Sequence, residues 1–154
     1  MLKKRFLNLF LDAVLVCNFR CIMCYFSDPN YKPSKECLSE EMVTNVANCF
    51  FSSAMRLQIG CGAEPTLYKH NEQIIKLAKQ QGVPYVSFTT NGALFNYDKV
   101  EALANAGLDE IILSTHGASK DVYERMMPGA KFEILHEVLS AISKVKGKNQ
   151  RLKL

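Results

Sequence analysis

Short apolar runs of strand character alternate with helix-period segments along this chain, and that order restricts its fold more than any other feature. Strand-like runs fall at 9–16, 55–59, 85–89 and 110–113. Helical spacing follows a cap at Ser39, then covers 71–81, 97–106, 119–125 and 132–146. Parallel strands need a crossover of a dozen or more residues, usually a helix, so this order predicts a parallel sheet covered by helices. Glu40 and Glu41 suit the first turn behind Ser39. Met42, Val46, Cys49 and Phe50 form that helix's apolar stripe, which places Cys49 in the core. Gly82, Gly107 and Gly147 each stand just past a helix, where a left-handed residue closes the C-terminus. Arg151-Leu152-Lys153-Leu154 reads as the first half of a fifth strand. Residues 1–154 therefore form one domain that is expected to be incomplete at its C-terminal end.

Composition excludes several classes. A chain that is 48% hydrophobic can bury a core, and its net charge of +4 is mild. Many basic residues sit at the two ends, in Lys3-Lys4-Arg5 and from Lys144 to Lys153. They read as solvated ends rather than a nucleic-acid surface. No apolar run approaches the ~20 residues of a membrane span. The basic start and the apolar run up to Cys17 mimic a lipoprotein signal, but Asp12 interrupts it and Val16 is too large for the cleavage site. Three of the six cysteines crowd into one turn, so a metal is a simpler reading than disulfides, and a reducing cytoplasm is expected.

Those three are Cys17, Cys21 and Cys24, spaced C-x3-C-x2-C. Clustered thiolates select iron–sulfur or zinc. A closed structural site needs four protein ligands, whereas three leave a metal position open for a cofactor or substrate. Cys37 could close the site, and a structural zinc or plain packed thiols are the blander readings. Ligands of parallel α/β folds bind at the carboxyl ends of strands. After the second strand comes Gly60-Cys61-Gly62-Ala63-Glu64-Pro65, after the third Thr90-Asn91-Gly92, and at the fourth Ser114-Thr115-His116-Gly117. These segments should share one rim with the cysteines. Within them Cys61 is expected to pack, and His116 to cap a turn or face a substrate. Met126 and Met127 are expected to pack, and His70 and His136 to lie on helix surfaces.

With these motifs in place, the chain resembles the radical S-adenosylmethionine superfamily. Cys17, Cys21 and Cys24 match its cluster motif, and Gly62-Ala63-Glu64-Pro65 resembles its Gly-Gly-Glu-Pro turn. The resemblance implies an α/β fold, a partial (βα) barrel with a parallel sheet, about four βα units and the start of a fifth strand. It implies a 4Fe-4S cluster on the three cysteines, with S-adenosylmethionine chelating the open iron. Reductive cleavage then gives a 5′-deoxyadenosyl radical that abstracts hydrogen from a substrate. The implied pocket is Met23 and Phe26 near the adenine, Gly62, Ala63, Glu64 and Pro65 at the methionine end, and Asn91 and Ser114 beside them. A reducing donor such as flavodoxin or ferredoxin is implied as partner. The style of the cysteine loop looks most like members that modify peptides or proteins. The rival readings are a non-catalytic iron–sulfur electron-transfer module closed by Cys37, and an inactive truncated domain.

Overall fold

The structure of the protein, a computed structural model, describes residues 4–154, so Lys3 of the basic start lies outside the described residues. Its centre is a four-stranded parallel sheet in the order β1-β2-β3-β4. The strands are β1 (Leu7–Leu11), β2 (Ala54–Ile59), β3 (Tyr85–Thr90) and β4 (Glu110–Leu113). Between and after them come α1 (Glu40–Phe50), α2 (Asn71–Gln80), α3 (Tyr97–Ala106), α4 (Lys120–Met126) and α5 (Phe132–Lys148). Leu11 pairs with Ile59, Ile59 with Phe88, and Phe88 with Ile111, so one apolar row crosses the sheet. Leu57, Ile59, Val86, Phe88 and Ile111 are fully buried in this core. Each such side chain contributes roughly 1.5–3 kcal/mol. All four strands run the same way, so their carboxyl ends form one edge, as the alternation predicted.

Local chemistry sets the boundaries. Ser39 caps α1 by accepting the Met42 amide at 3.1 Å, and Asn96 caps α3 by accepting that of Lys99 at 2.9 Å. β1 is shorter than expected and ends at Leu11, because Asp12 turns its carboxylate to the backbone of another loop. Val14 then makes an isolated antiparallel bridge with Cys37.

The apolar stripe of α1 is rotated from the expected one. Val43 and Ala47 are buried, whereas Met42 is 53% and Phe50 48% exposed. Cys49 is exposed, not core. The deciding residue is Phe51, fully buried just past the helix, which completes the spacing Val43, Ala47, Phe51. Gly82 and Gly107 are left-handed as expected, but Gly147 lies inside α5, which runs on to Lys148. The fifth-strand reading has a counterpart in a parallel bridge between Glu110 and Lys153, with the Ile111 amide on the Lys153 carbonyl at 2.9 Å.

Two glycines make opposite predictions. Gly60 has φ +81°, and a Cβ there would meet the Thr89 carbonyl at 2.4 Å and Pro65 Cγ at 2.6 Å. Gly60→Ala should destabilise by about 3 kcal/mol. At Gly147 no heavy atom lies within 4 Å of such a Cβ, and Gly147→Ala should stabilise by about 0.5 kcal/mol. Urea unfolding of the two variants checks both signs.

Candidate functional site

The turn after β2 is built around a buried carboxylate. Glu64 is 2% exposed. Its Oε1 accepts the Thr66 amide at 3.1 Å, the Thr66 hydroxyl at 2.6 Å and the Thr90 hydroxyl at 2.6 Å. Its Oε2 accepts the Asn91 amide at 2.8 Å. A buried charge is tolerated only with such partners. Glu64 thereby locks the turn to the end of β3. The charge expected to face a ligand is committed to this network, although Glu64 still borders the cavity described below. Pro65 starts a short 3-10 turn and is buried behind the site rather than lining it.

The cysteine loop is seated from the other side. Phe19, between the first two cysteines, is 3% exposed and packs with Tyr123, Met127, Ala130 and Leu135 in a second apolar cluster. The Arg20 amide donates to the Pro128 carbonyl, and that of Ile22 to the Met126 carbonyl, each at 3.1 Å. The stretch from Met126 to Pro128 is thus the ledge that carries the loop. Arg20 also closes the loop on itself, donating to the Cys17 and Phe19 carbonyls at 2.8 Å.

Between the two lies a cavity of about 250 Å³ at the carboxyl edge of the sheet. Cys17, Cys21 and Cys24 line it together with Met23, Phe26, Gly62, Ala63, Glu64, Asn91 and Ser114. Every residue the sequence assigned to the site except Pro65 therefore meets in one place. Phe26 is buried, whereas Met23 is half-exposed at the mouth. Ala63 is unstrained, since no non-glycine residue among those described has a positive φ. The Asn91 side chain donates to Asn18 Oδ1 at 2.8 Å and lies 4.0 Å from the Cys17 sulfur. His116 and Met127 also line the cavity. Met127 is 1% exposed, a packing residue as expected. Cys61, expected to pack, is instead exposed on the cavity rim.

The donor set can be tested against a cluster. Burial is the main cause that pushes the Cys17 and Cys21 thiols up, and the neighbouring cysteines add to it. Iron would displace those protons and neutralise the thiolates, which offsets their burial. Among the described residues no three His, Cys, Asp or Glu side chains close on a single ion. Cys37 is exposed, pairs with Val14 and does not line the cavity. Three thiols on one cavity, with Cys37 outside it, are a donor set whose chemistry suits an iron–sulfur cluster.

Sequence reasoning missed Asp12, Asn18, Phe19 and Tyr25. Asp12 accepts two backbone amides of the turn, and Tyr25 donates its hydroxyl to the Gly62 carbonyl. Phe19 alone carried a readable signal, as an aromatic residue placed between two of the clustered cysteines.

A family model described as the radical SAM superfamily matches residues 14–152. A probable GTP 3′,8-cyclase of Saccharolobus solfataricus is 35% identical over 130 residues, covering 82% of this chain and 40% of that protein. A protein of the same description from Sulfurisphaera tokodaii is 33% identical over 111 residues, covering 72% and 34%. The chain thus spans less than half the length of these curated relatives. Among solved structures, anSMEcpe with bound AdoMet and the Cp18Cys peptide matches with a TM-score of 0.72 at 20% identity, over 90% of this chain and 40% of that one. BtrN in complex with AdoMet and 2-DOIA matches at 0.68 and 18% identity, over 97% and 58%. These likenesses show the fold.

The rim thiol gives a pH prediction. Burial first, and then the Asp12 carboxylate, push the Cys61 thiol from 9.0 to about 11. Only the thiolate alkylates, so a rise of two units lowers its fraction at pH 8 about 100-fold. Iodoacetamide modification of Cys61 in metal-free protein, followed by mass spectrometry, should keep rising through pH 10. Asp12→Asn removes the repelling charge and should increase the rate at pH 8. A midpoint near pH 9 in the parent protein contradicts the assignment.

Proposed function

The chain belongs to the radical S-adenosylmethionine superfamily, and from that premise we propose that it is the core of an enzyme that binds a 4Fe-4S cluster through Cys17, Cys21 and Cys24 and uses it with S-adenosylmethionine. The observation that carries this reading is the cavity that gathers all three cysteines with the Gly62–Ala63 turn, Asn91 and Ser114. A cluster held by Cys17, Cys21 and Cys24 would supply one electron for reductive cleavage of S-adenosylmethionine to methionine and a radical able to abstract hydrogen from a substrate. The chain's own groups bind and orient. Phe26 and Met23 supply an apolar wall for the adenine, and Ser114 and Asn91 offer polar contacts to the ribose or carboxylate. The Gly62–Ala63 backbone lets the methionine end approach closely. The Met127 and Phe19 side chains keep water from the thiols on the inner side. His116, exposed on the same rim, is the residue we assign to the substrate.

For that substrate we propose a guanine nucleotide. The motif style suggested a peptide or protein, but relatives named for GTP share 35% identity over 82% of the chain. The peptide-bound structure shares 20%. Reduced flavodoxin or ferredoxin is the proposed electron donor, and a reducing cytoplasm suits the free thiols. Among the described residues no helix is long and apolar enough to cross a membrane.

Anaerobic reconstitution with iron and sulfide tests the reading. Cys17→Ala, Cys21→Ala and Cys24→Ala should each lose the cluster, whereas Cys37→Ala, Cys49→Ala and Cys61→Ala should keep their iron content. Adding S-adenosylmethionine should alter the electron paramagnetic resonance signal of the reduced cluster, and GTP should raise 5′-deoxyadenosine formation above the substrate-free level. Iron lost in Cys37→Ala but kept in Cys21→Ala would mean a closed site and sink the assignment. No response to GTP would remove the nucleotide.

A further inference from the structure

The turn that borders the cavity is gripped by two side chains outside its own sequence. Asp12, one residue past β1, points both carboxylate oxygens at it: Oδ1 accepts the Cys61 amide at 2.9 Å and Oδ2 the Gly62 amide at 3.0 Å. The Tyr25 hydroxyl donates to the Gly62 carbonyl. Gly62 is therefore held at its amide and at its carbonyl together. The room left is small, since a Cβ on Gly62 would meet Tyr25 Oη at 3.1 Å and Asp12 Oδ2 at 3.4 Å. Glycine at this position is favoured by the clamp and not by its φ, which is not positive.

Tyr25 directly follows Cys24 and opens the short 3-10 turn at 25–27. Its ring is stacked on Phe26 at 4.6 Å and meets Tyr31 edge-on at 4.8 Å. An aromatic group fixed on two sides aims its hydroxyl with little freedom. The last cluster cysteine and the Gly62 turn are thus joined through one adjacent side chain.

We infer that Asp12 and Tyr25 are positioning residues for S-adenosylmethionine, acting through Gly62 to fix the backbone of the turn against the cysteine loop. The inference rests on the proposed function. Neither residue touches the cofactor in this role; each sets the orientation of a peptide group that does. Asp12 accepts as a charged group and so carries the stronger bonds, and Tyr25 carries a neutral one.

The test compares Tyr25→Phe, Asp12→Asn and the double variant with the parent after reconstitution. Tyr25→Phe keeps the aromatic packing and removes only the hydroxyl. Asp12→Asn keeps the shape but turns an amide group toward a backbone donor. S-adenosylmethionine affinity is read by titrating the reduced cluster's electron paramagnetic resonance signal, alongside iron content and melting temperature. Tyr25→Phe should weaken binding about tenfold and Asp12→Asn about 30-fold, both with unchanged iron. The double variant should fall short of the product of the two, because both act on one residue. A merely structural role would lower iron content and melting temperature together with affinity, and that result overturns the inference. So does unchanged affinity in both single variants. In metal-free protein, amide exchange at Cys61 and Gly62 should quicken in Asp12→Asn, and unchanged exchange overturns the clamp. If the parent takes up neither cluster nor S-adenosylmethionine, the proposed function falls, while the exchange measurement still decides whether Asp12 holds the turn.

Discussion

The carboxylate of Glu64 holds the site together. Two oxygens with four donors on them, at 2% exposure, make a saturated buried anion. Removing one partner of such a group costs far more than the pair contributes net, because the remaining donors are left stranded. The network also extends past Glu64. The Thr90 hydroxyl that donates to it accepts the Gly92 amide at 2.9 Å, and Asn91 Oδ1 accepts that of Ala93 at 3.0 Å. The end of β3 is thereby wound into one conformation. That fixes the Asn91 side chain, which reaches across to Asn18 and toward the Cys17 sulfur. A buried polar group on one strand end thus sets the position of a side chain beside a cavity cysteine contributed by another.

The cysteine loop needs a second support, because Glu64 reaches it only through the Asn91 contact and the adjoining Glu64 amide on the Val16 carbonyl at 3.0 Å. Phe19 supplies that support by burying an aromatic ring against Tyr123 and Met127. The packing is close: a Cβ on Gly129 would meet Phe19 at 3.3 Å and the Asn18 carbonyl at 3.4 Å. Phe19 burial orders the loop by the apolar effect, and the backbone bonds to Met126 and Pro128 set its register. The thiols are consequently presented to the cavity before any metal arrives, which reduces the ordering cost of binding.

Much of this was legible in the sequence where the signal is local. α3 and β4 have the expected boundaries because Asn96, Gly107 and the apolar run at 110–113 mark them chemically. The stripe of α1 was misread because helical spacing admits two neighbouring stripes, one residue apart. Phe51, beyond the helix, chooses between them. Asp12 registered only as a break in an apolar run. Its partners are backbone amides 49 and 50 residues away, and a backbone amide has no side-chain signature. Glu64 was legible as a motif residue, but its commitment to Thr66, Thr90 and Asn91 depends on how β2 and β3 sit side by side.

The sheet face away from the core explains why the basic balance says little about the substrate. Arg56 donates to Ser87 at 3.2 Å and pairs with Glu110 at 3.1 Å, and its guanidinium lies over Tyr85 at 5.4 Å. Gln58 donates to Thr89 at 3.1 Å, and the Lys153 ammonium also stands over Tyr85. These polar groups are thus engaged with one another across the strands through Arg56, Ser87, Glu110, Gln58 and Thr89, although the buried Arg56 Nε has no partner, and the Arg56 charge is already paired. The carboxylate that lines the cavity, Glu64, is spent internally. In the proposed reading, selectivity among substrates falls to the mouth, where Met23 and His116 are exposed, while the turn, the loop and the strand ends behind them hold one another in place.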